Sequence, residues 1–146
     1  RLSMSTAKVN TLTGTTTAGS ISVTGEGNSN TINLQQGLTK LWSCWDSDAG
    51  SSKDSFNSAS LTDNATGRWT NNFTTNMGNA NYSVTAAAAH TNQSSGLPSM
   101  SVEHDSSDYG RTTSAVTTES AYAASSTDRT LYDYDDTTCQ VNGDLA

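Results

Sequence analysis

Residues 54–84 read DSFNSASLTDNATGRWTNNFTTNMGNANYSV. Phe56, Ser58 and Ser60 alternate with Asn57, Ala59 and Leu61, which is the period of a strand. Asp63-Asn64-Ala65-Thr66-Gly67 then breaks the pattern, and its final glycine suits the left-handed position that closes a hairpin. The chain returns through Arg68–Thr74 with Trp69, Asn71 and Phe73 on one face. Met77–Asn81 forms a second polar turn before a strand over Tyr82–Ala89. Three strands and two turns in thirty residues predict an antiparallel β fold.

Outward from this stretch the pattern holds. LTKLWSCW places Leu38, Lys40, Trp42 and Cys44 on one side of a strand and Thr39, Leu41, Ser43 and Trp45 on the other. With bulk on both faces, it reads as a central strand covered on both sides. DSDAGSSKD reads as a polar loop. SVTAAAAH has helix-forming alanines, but Tyr, Val and Thr before it and a polar loop after it favour a strand. Pro98, the single proline, stands where a strand can begin. RTTSAVTTES alternates, and RTLYDYDD and TTCQVNGD read as two short strands about an Asp-rich turn, with acids outward and tyrosines inward. Seven to nine strands predict a β-sandwich or jelly-roll-like domain over 38–146.

Residues 1–37 differ, having no aromatic residue and much Thr, Gly, Ser and Asn. Ile21–Val23 and Ile32–Leu34 flank a glycine turn at Gly25–Gly27, a hairpin too poor in apolar residues to stand alone. The segment reads as an extended N-terminal attachment or intertwining arm, the alternative being a mobile tail. Met4 reads as a natural initiator.

Leu, Ile, Val and Phe together number 19 of 146 residues, whereas Ser and Thr number 47. So few aliphatics commonly mean disorder, but a net charge of only −7, three Trp and five Tyr point to an ordered β protein with a thin core. The alternative is a chain partly disordered until it assembles. Either way, burial between subunits is the natural supplement, which predicts a homo-oligomer.

Several function classes drop out. Seven scattered basic residues against fourteen acidic ones disfavour nucleic acid and anionic membranes. No apolar run of membrane-spanning length and no secretory signal occur. Cys44 and Cys139, 95 positions apart, are two buried thiols or one long-range disulfide. His104 between Glu103 and Asp105 is the one spot where carboxylates flank an imidazole, and alternating loop residues give the same text. Tyr132-Asp133-Tyr134-Asp135-Asp136 lacks the spacing of a calcium loop. Four N-x-S/T sequons, at Asn64, Asn72, Asn81 and Asn92, match chance for this composition. No nucleophile motif is readable. No metal, cofactor or catalytic residue is expected.

The Lys40–Trp42 strand, D-S-F-N at 54–57, T-D-N-A-T-G at 62–67, F-T-T-N-M at 73–77 and N-Y-S-V at 81–84 together resemble a module of tail-fibre-like virion proteins of tailed bacteriophages, marine ones in particular. STAKVNTLTG near the start and QVNGDLA at the end are similar to the borders of such proteins, although the loop after Trp45 is Asp- and Ser-rich where that pattern has aromatics. The resemblance implies a structural, non-enzymatic virion component assembled in the host cytoplasm. It would be a trimer by analogy, in either a tail fibre or host-contacting appendage or a capsid-decorating (cement) or head-fibre protein. Residues 1–37 would attach it to other virion proteins. Trp42, Trp45, Phe56, Leu61, Trp69, Phe73 and Tyr82 are the expected core. A host surface glycan, if bound, is expected at loops 46–53, 91–98 and 105–110, with Asp105, Asp108 and Tyr109 as contacts.

Overall fold

The computed structural model describes residues 7–16, 21–25, 30–89, 98–102, 110–123 and 129–146. They divide into two compact units, 1–37 and 38–146. In the first, β1 (Ser22–Thr24) pairs antiparallel with β2 (Thr31–Asn33), matching Val23 to Ile32. One helical turn, α1 (Leu34–Gly37), follows, started by Asn33, whose side chain accepts the Gln36 N–H at 3.2 Å. Val9, Leu12, Val23 and Ile32 are all exposed in this unit.

The second unit is all β, two antiparallel sheets of a sandwich. β3 (Leu41–Asp46), β4 (Ser51–Phe56), β7 (Ser83–Ala89) and β11 (Asp136–Asn142) form one sheet in the order β4-β3-β11-β7. β5 (Ser58–Ala65), β6 (Arg68–Phe73), β8 (Pro98–Val102), β9 (Ala115–Ala123) and β10 (Arg129–Leu131) form the other. β9 is its spine, with β8 along one edge and β6 and β10 end to end along the other.

Alternation fixes what lies between the sheets. Leu41 and Trp45 of β3 and Cys139 and Val141 of β11 meet Trp69 and Phe73 of β6 and Val116 of β9. Met77 and Tyr82 close one end, with the Phe73 and Tyr82 rings edge to face at 5.9 Å. Leu61 packs against this cluster and is only partly buried. Small polar residues fill the remaining interior and are hydrogen-bonded: the Asn71 amide donates to the Ser43 hydroxyl across the sheets and accepts from Ser58 at 2.7 Å.

Two expected core residues are not in the core. Trp42 is 41% exposed and Phe56 53% exposed. β3 is central within its sheet, flanked by β4 and β11, but only one face is covered. Leu41, Ser43 and Trp45 point inward, and Trp42 and its cross-strand partner Phe56 point out. The polar loop expected over 46–53 is also shorter: β3 runs to Asp46, β4 begins at Ser51, and the turn is Ser47–Gly50. Nor do the last two strands form a hairpin. β10 and β11 lie in different sheets, and Tyr132–Asp135 crosses between them. Tyr134 is buried at that crossing, hydrogen-bonded to Ser47 on one side and to the Ala121 carbonyl on the other.

The turn glycine falls where the sequence placed it. Gly67 has φ +69°, and a Cβ there would lie 2.5 Å from the Ser120 carbonyl oxygen and 2.6 Å from the Tyr132 nitrogen. The alanine run over 83–89 is strand β7, and Pro98 opens the edge strand β8.

Candidate ligand-binding face

The outer face of the β4-β3-β11-β7 sheet carries the exposed aromatic pair. Cross-strand register lines up Phe56, Trp42, Gln140 and Thr85 in one row across all four strands. The next row is Asp54, Cys44, Thr138 and Ala87. Beyond the indole, Trp42, Cys44, Thr138, Gln140, Thr85 and Ala87 border an open depression of about 240 Å³.

Its geometry is held from below. At Asn57 the chain leaves the first sheet for the second, with φ +60°. Asparagine tolerates this left-handed conformation better than other non-glycine residues. Its amide donates to the Lys40 carbonyl at 2.9 Å and the Thr75 carbonyl at 3.1 Å, and its Oδ1 accepts the Thr75 N–H at 2.7 Å. Phe56 precedes this corner and Trp42 lies two residues beyond Lys40, so one side chain ties down both aromatic strands.

At the other end, β4 carries a bulge: Cys44 pairs with Asp54 and Trp45 with Ser52, leaving Lys53 as the extra residue. Lys53 reaches Asp136 at 3.1 Å and the Asp135 carbonyl at 2.5 Å. That hydrogen bond to Asp136 holds the Lys53 pKa above its ordinary value. The Cys44 thiol lies 3.3 Å from the same Asp136 oxygen, and burial, followed by this hydrogen bond, raises its pKa. Asp46, Asp54 and Asp136 leave this end of the face acidic.

The two cysteines are free. Thr138 pairs with Cys44 and Cys139 with Ser43, so the thiols sit on adjacent strands but on opposite faces. Cys139 is in the core, where burial pushes its thiol up to about 12.

On the opposite sheet, Glu119 is buried between two guanidinium groups, Arg68 at 2.7 Å and Arg129 at 2.7 Å. Burial alone lifts the Glu119 pKa; hydrogen bonds from Arg129 and Arg68 outweigh it and hold the carboxyl below the usual range. Asp133, in the crossing segment, accepts the Gly67 N–H at 2.8 Å and the Trp69 indole N–H at 3.1 Å. Sequence reading paired neither carboxylate: Arg68 lies 51 positions from Glu119, and Gly67 and Trp69 lie 66 and 64 positions from Asp133, while Arg129, ten positions from Glu119, meets it only because β10 pairs with β9.

Of the contacts expected for a glycan, Asp105, Asp108 and Tyr109 lie outside the described residues, as do His90 and His104. Ser47, in the expected loop 46–53, is buried and structural, bonded to Tyr134 and Thr137. Among the described residues no three His, Cys, Asp or Glu side chains converge as a metal site would require. Comparison with family models, curated proteins and solved structures gave no match to this chain.

Proposed function

We propose that this chain is a structural, non-catalytic component of a bacteriophage virion, assembled in the host cytoplasm, and specifically a tail fibre or host-contacting appendage protein. One observation carries the host-contacting reading: Trp42 and Phe56 stand side by side and exposed on the outer face of the β4-β3-β11-β7 sheet. Aromatic side chains are enriched where proteins contact partners, which supports this reading. The resemblance of the 54–84 motifs to virion modules supports the same assignment. Those motifs lie at the Asn57 corner, the Gly67 turn and the Tyr82 hydrogen bonds to the Thr112 and Ala115 carbonyls. They shape the scaffold and build no cleft.

The exposed Val9, Leu12, Val23 and Ile32 of the first unit suit attachment to another virion protein. The thin core suits a homo-oligomer, and the likeness to virion appendages suggests a trimer. That exposed arm also favours a second reading, capsid decoration, in which 1–37 clamps neighbouring shell subunits.

Immunogold labelling of virions with antibody to this chain tests the assignment. Gold at the tail or its appendages is expected. Gold spread over the head replaces the first reading with the second, and unlabelled virions overturn both.

A further inference from the structure

We propose that the Trp42 face binds an uncharged sugar, a neutral hexose or N-acetylhexosamine unit of a larger glycan, with the ring lying in the depression against the indole. This inference rests on the host-contact reading and gives that contact a place and a chemistry.

The first argument is area. At about 150–250 Å² per aromatic side chain, the exposed parts of Trp42 and Phe56 amount to roughly 200 Å². A stable protein interface takes about 800 Å² from each partner, more than half of it apolar. The remainder of this face is Cys44, Lys53, Thr85, Thr138, Gln140, alanine methyls and carboxylates. That is too little apolar surface for a second copy and about the right amount for one face of a pyranose.

The second argument is volume and chemistry. A depression of about 240 Å³ falls below the range of about 300–1,000 Å³ for drug-sized ligands. It suits one sugar ring, with the rest of the chain running out into solvent. The C–H-bearing face of a pyranose stacks on an aromatic plane while its hydroxyls need neighbours that both donate and accept. The Gln140 amide donates to Thr39 Oγ1 at 2.8 Å, which orients its Oε1 as an acceptor. The Thr138 hydroxyl donates to the Ala87 carbonyl at 3.3 Å and keeps its lone pairs. Thr85 borders the far side, and Ala87, carrying only a methyl group, leaves room beside it.

The third argument is charge. Asp46, Asp54 and Asp136 share this face with one cation, Lys53, already paired to Asp136. A chain of net charge −7 with an acidic sheet face repels uronic, sialic and phosphorylated sugars. That selects uncharged units.

The test is an immobilised panel of neutral, N-acetylated, uronic and sialylated oligosaccharides, probed with the full chain and followed by fluorescence titration of the hits. Trp42 is the exposed indole, while Trp45 and Trp69 are buried, so quenching reports this face. Expected are hits confined to uncharged glycans, at least a tenfold loss of affinity in Trp42→Ala, and a smaller loss in Gln140→Ala, an exposed position whose change leaves the fold intact. Binding only to acidic glycans, no binding at all, or undiminished binding by both variants overturns the proposal. So does a Trp42→Ala chain that falls from oligomer to monomer, which would make the face a subunit contact. Any of these with gold-labelled virion tails defeats the sugar site alone; unlabelled virions defeat the virion reading whatever the panel shows.

Discussion

Glu119 shows how one residue sets a pH dependence. Its folded pKa is depressed by the Arg129 and Arg68 hydrogen bonds, against the opposing effect of burial. The pair of ion contacts therefore contributes its full stability above the unfolded value of about 4.3, and that contribution disappears as pH falls through the lower folded value. Glu119→Gln is expected to cost on the order of 1–2 kcal/mol at pH 7, given the partial exposure of both guanidinium groups. It should also flatten the acid limb of the stability curve below pH 4.3. Urea midpoints from pH 2 to 7 for parent and variant measure this; parallel curves would mean the carboxylate contributes nothing. The cysteines offer a second residue-scale test. Cys44 lies at the outer face and Cys139 in the core with its thiol raised to about 12. Iodoacetamide on the native chain should label Cys44 slowly and leave Cys139 intact until denaturant is added, as read by mass spectrometry of the peptides.

At the scale of elements, Asn57 decides how β4 hands over to β5. It supplies a left-handed φ and three side-chain hydrogen bonds that join the strands carrying Trp42 and Phe56 to the loop at Thr75. Losing those bonds at about 1 kcal/mol each, plus about 1–2 kcal/mol for a left-handed alanine, gives about 4 kcal/mol for Asn57→Ala. Asn57→Gly keeps the conformation and should recover about 1 kcal/mol of that. Chemical denaturation of both variants checks the order, and equal losses would remove the conformational part. The hairpin β5–β6 and its Gly67 turn were legible because their partners are adjacent in sequence. The sheet change at Asn57 was not, since an asparagine within an alternating run reads as one more strand residue. The Tyr132–Asp135 crossing was missed for the same reason: two short strands about an acidic turn look like a hairpin until their partners, β9 and β3 with β7, are known.

For the whole molecule, every residue of the core cluster lies between Leu41 and Val141, and those packed against it extend to Leu145. Residues 38–146 expressed alone are therefore expected to keep a β-type far-UV spectrum and a cooperative melt within a few degrees of the full chain. Loss of the cooperative transition would show that 1–37 completes the core. The sequence by itself determined the fold class, the β3 strand, the β5–β6 hairpin, the β7 strand, the arm hairpin and the inward placement of Trp69, Phe73 and Tyr82. Period-two alternation, turn residues and aromatic spacing are local properties, readable without knowing any partner. Only the tertiary structure decided which face of β3 is inside, because Leu41–Trp45 and Trp42–Cys44 each present one tryptophan and alternation cannot choose between them. That choice rests on β6 and β9 covering one side of the sheet and nothing in this chain's second unit covering the other among the described residues. It turns Trp42 and Phe56 from expected core into an exposed aromatic pair on the outer face of this sheet.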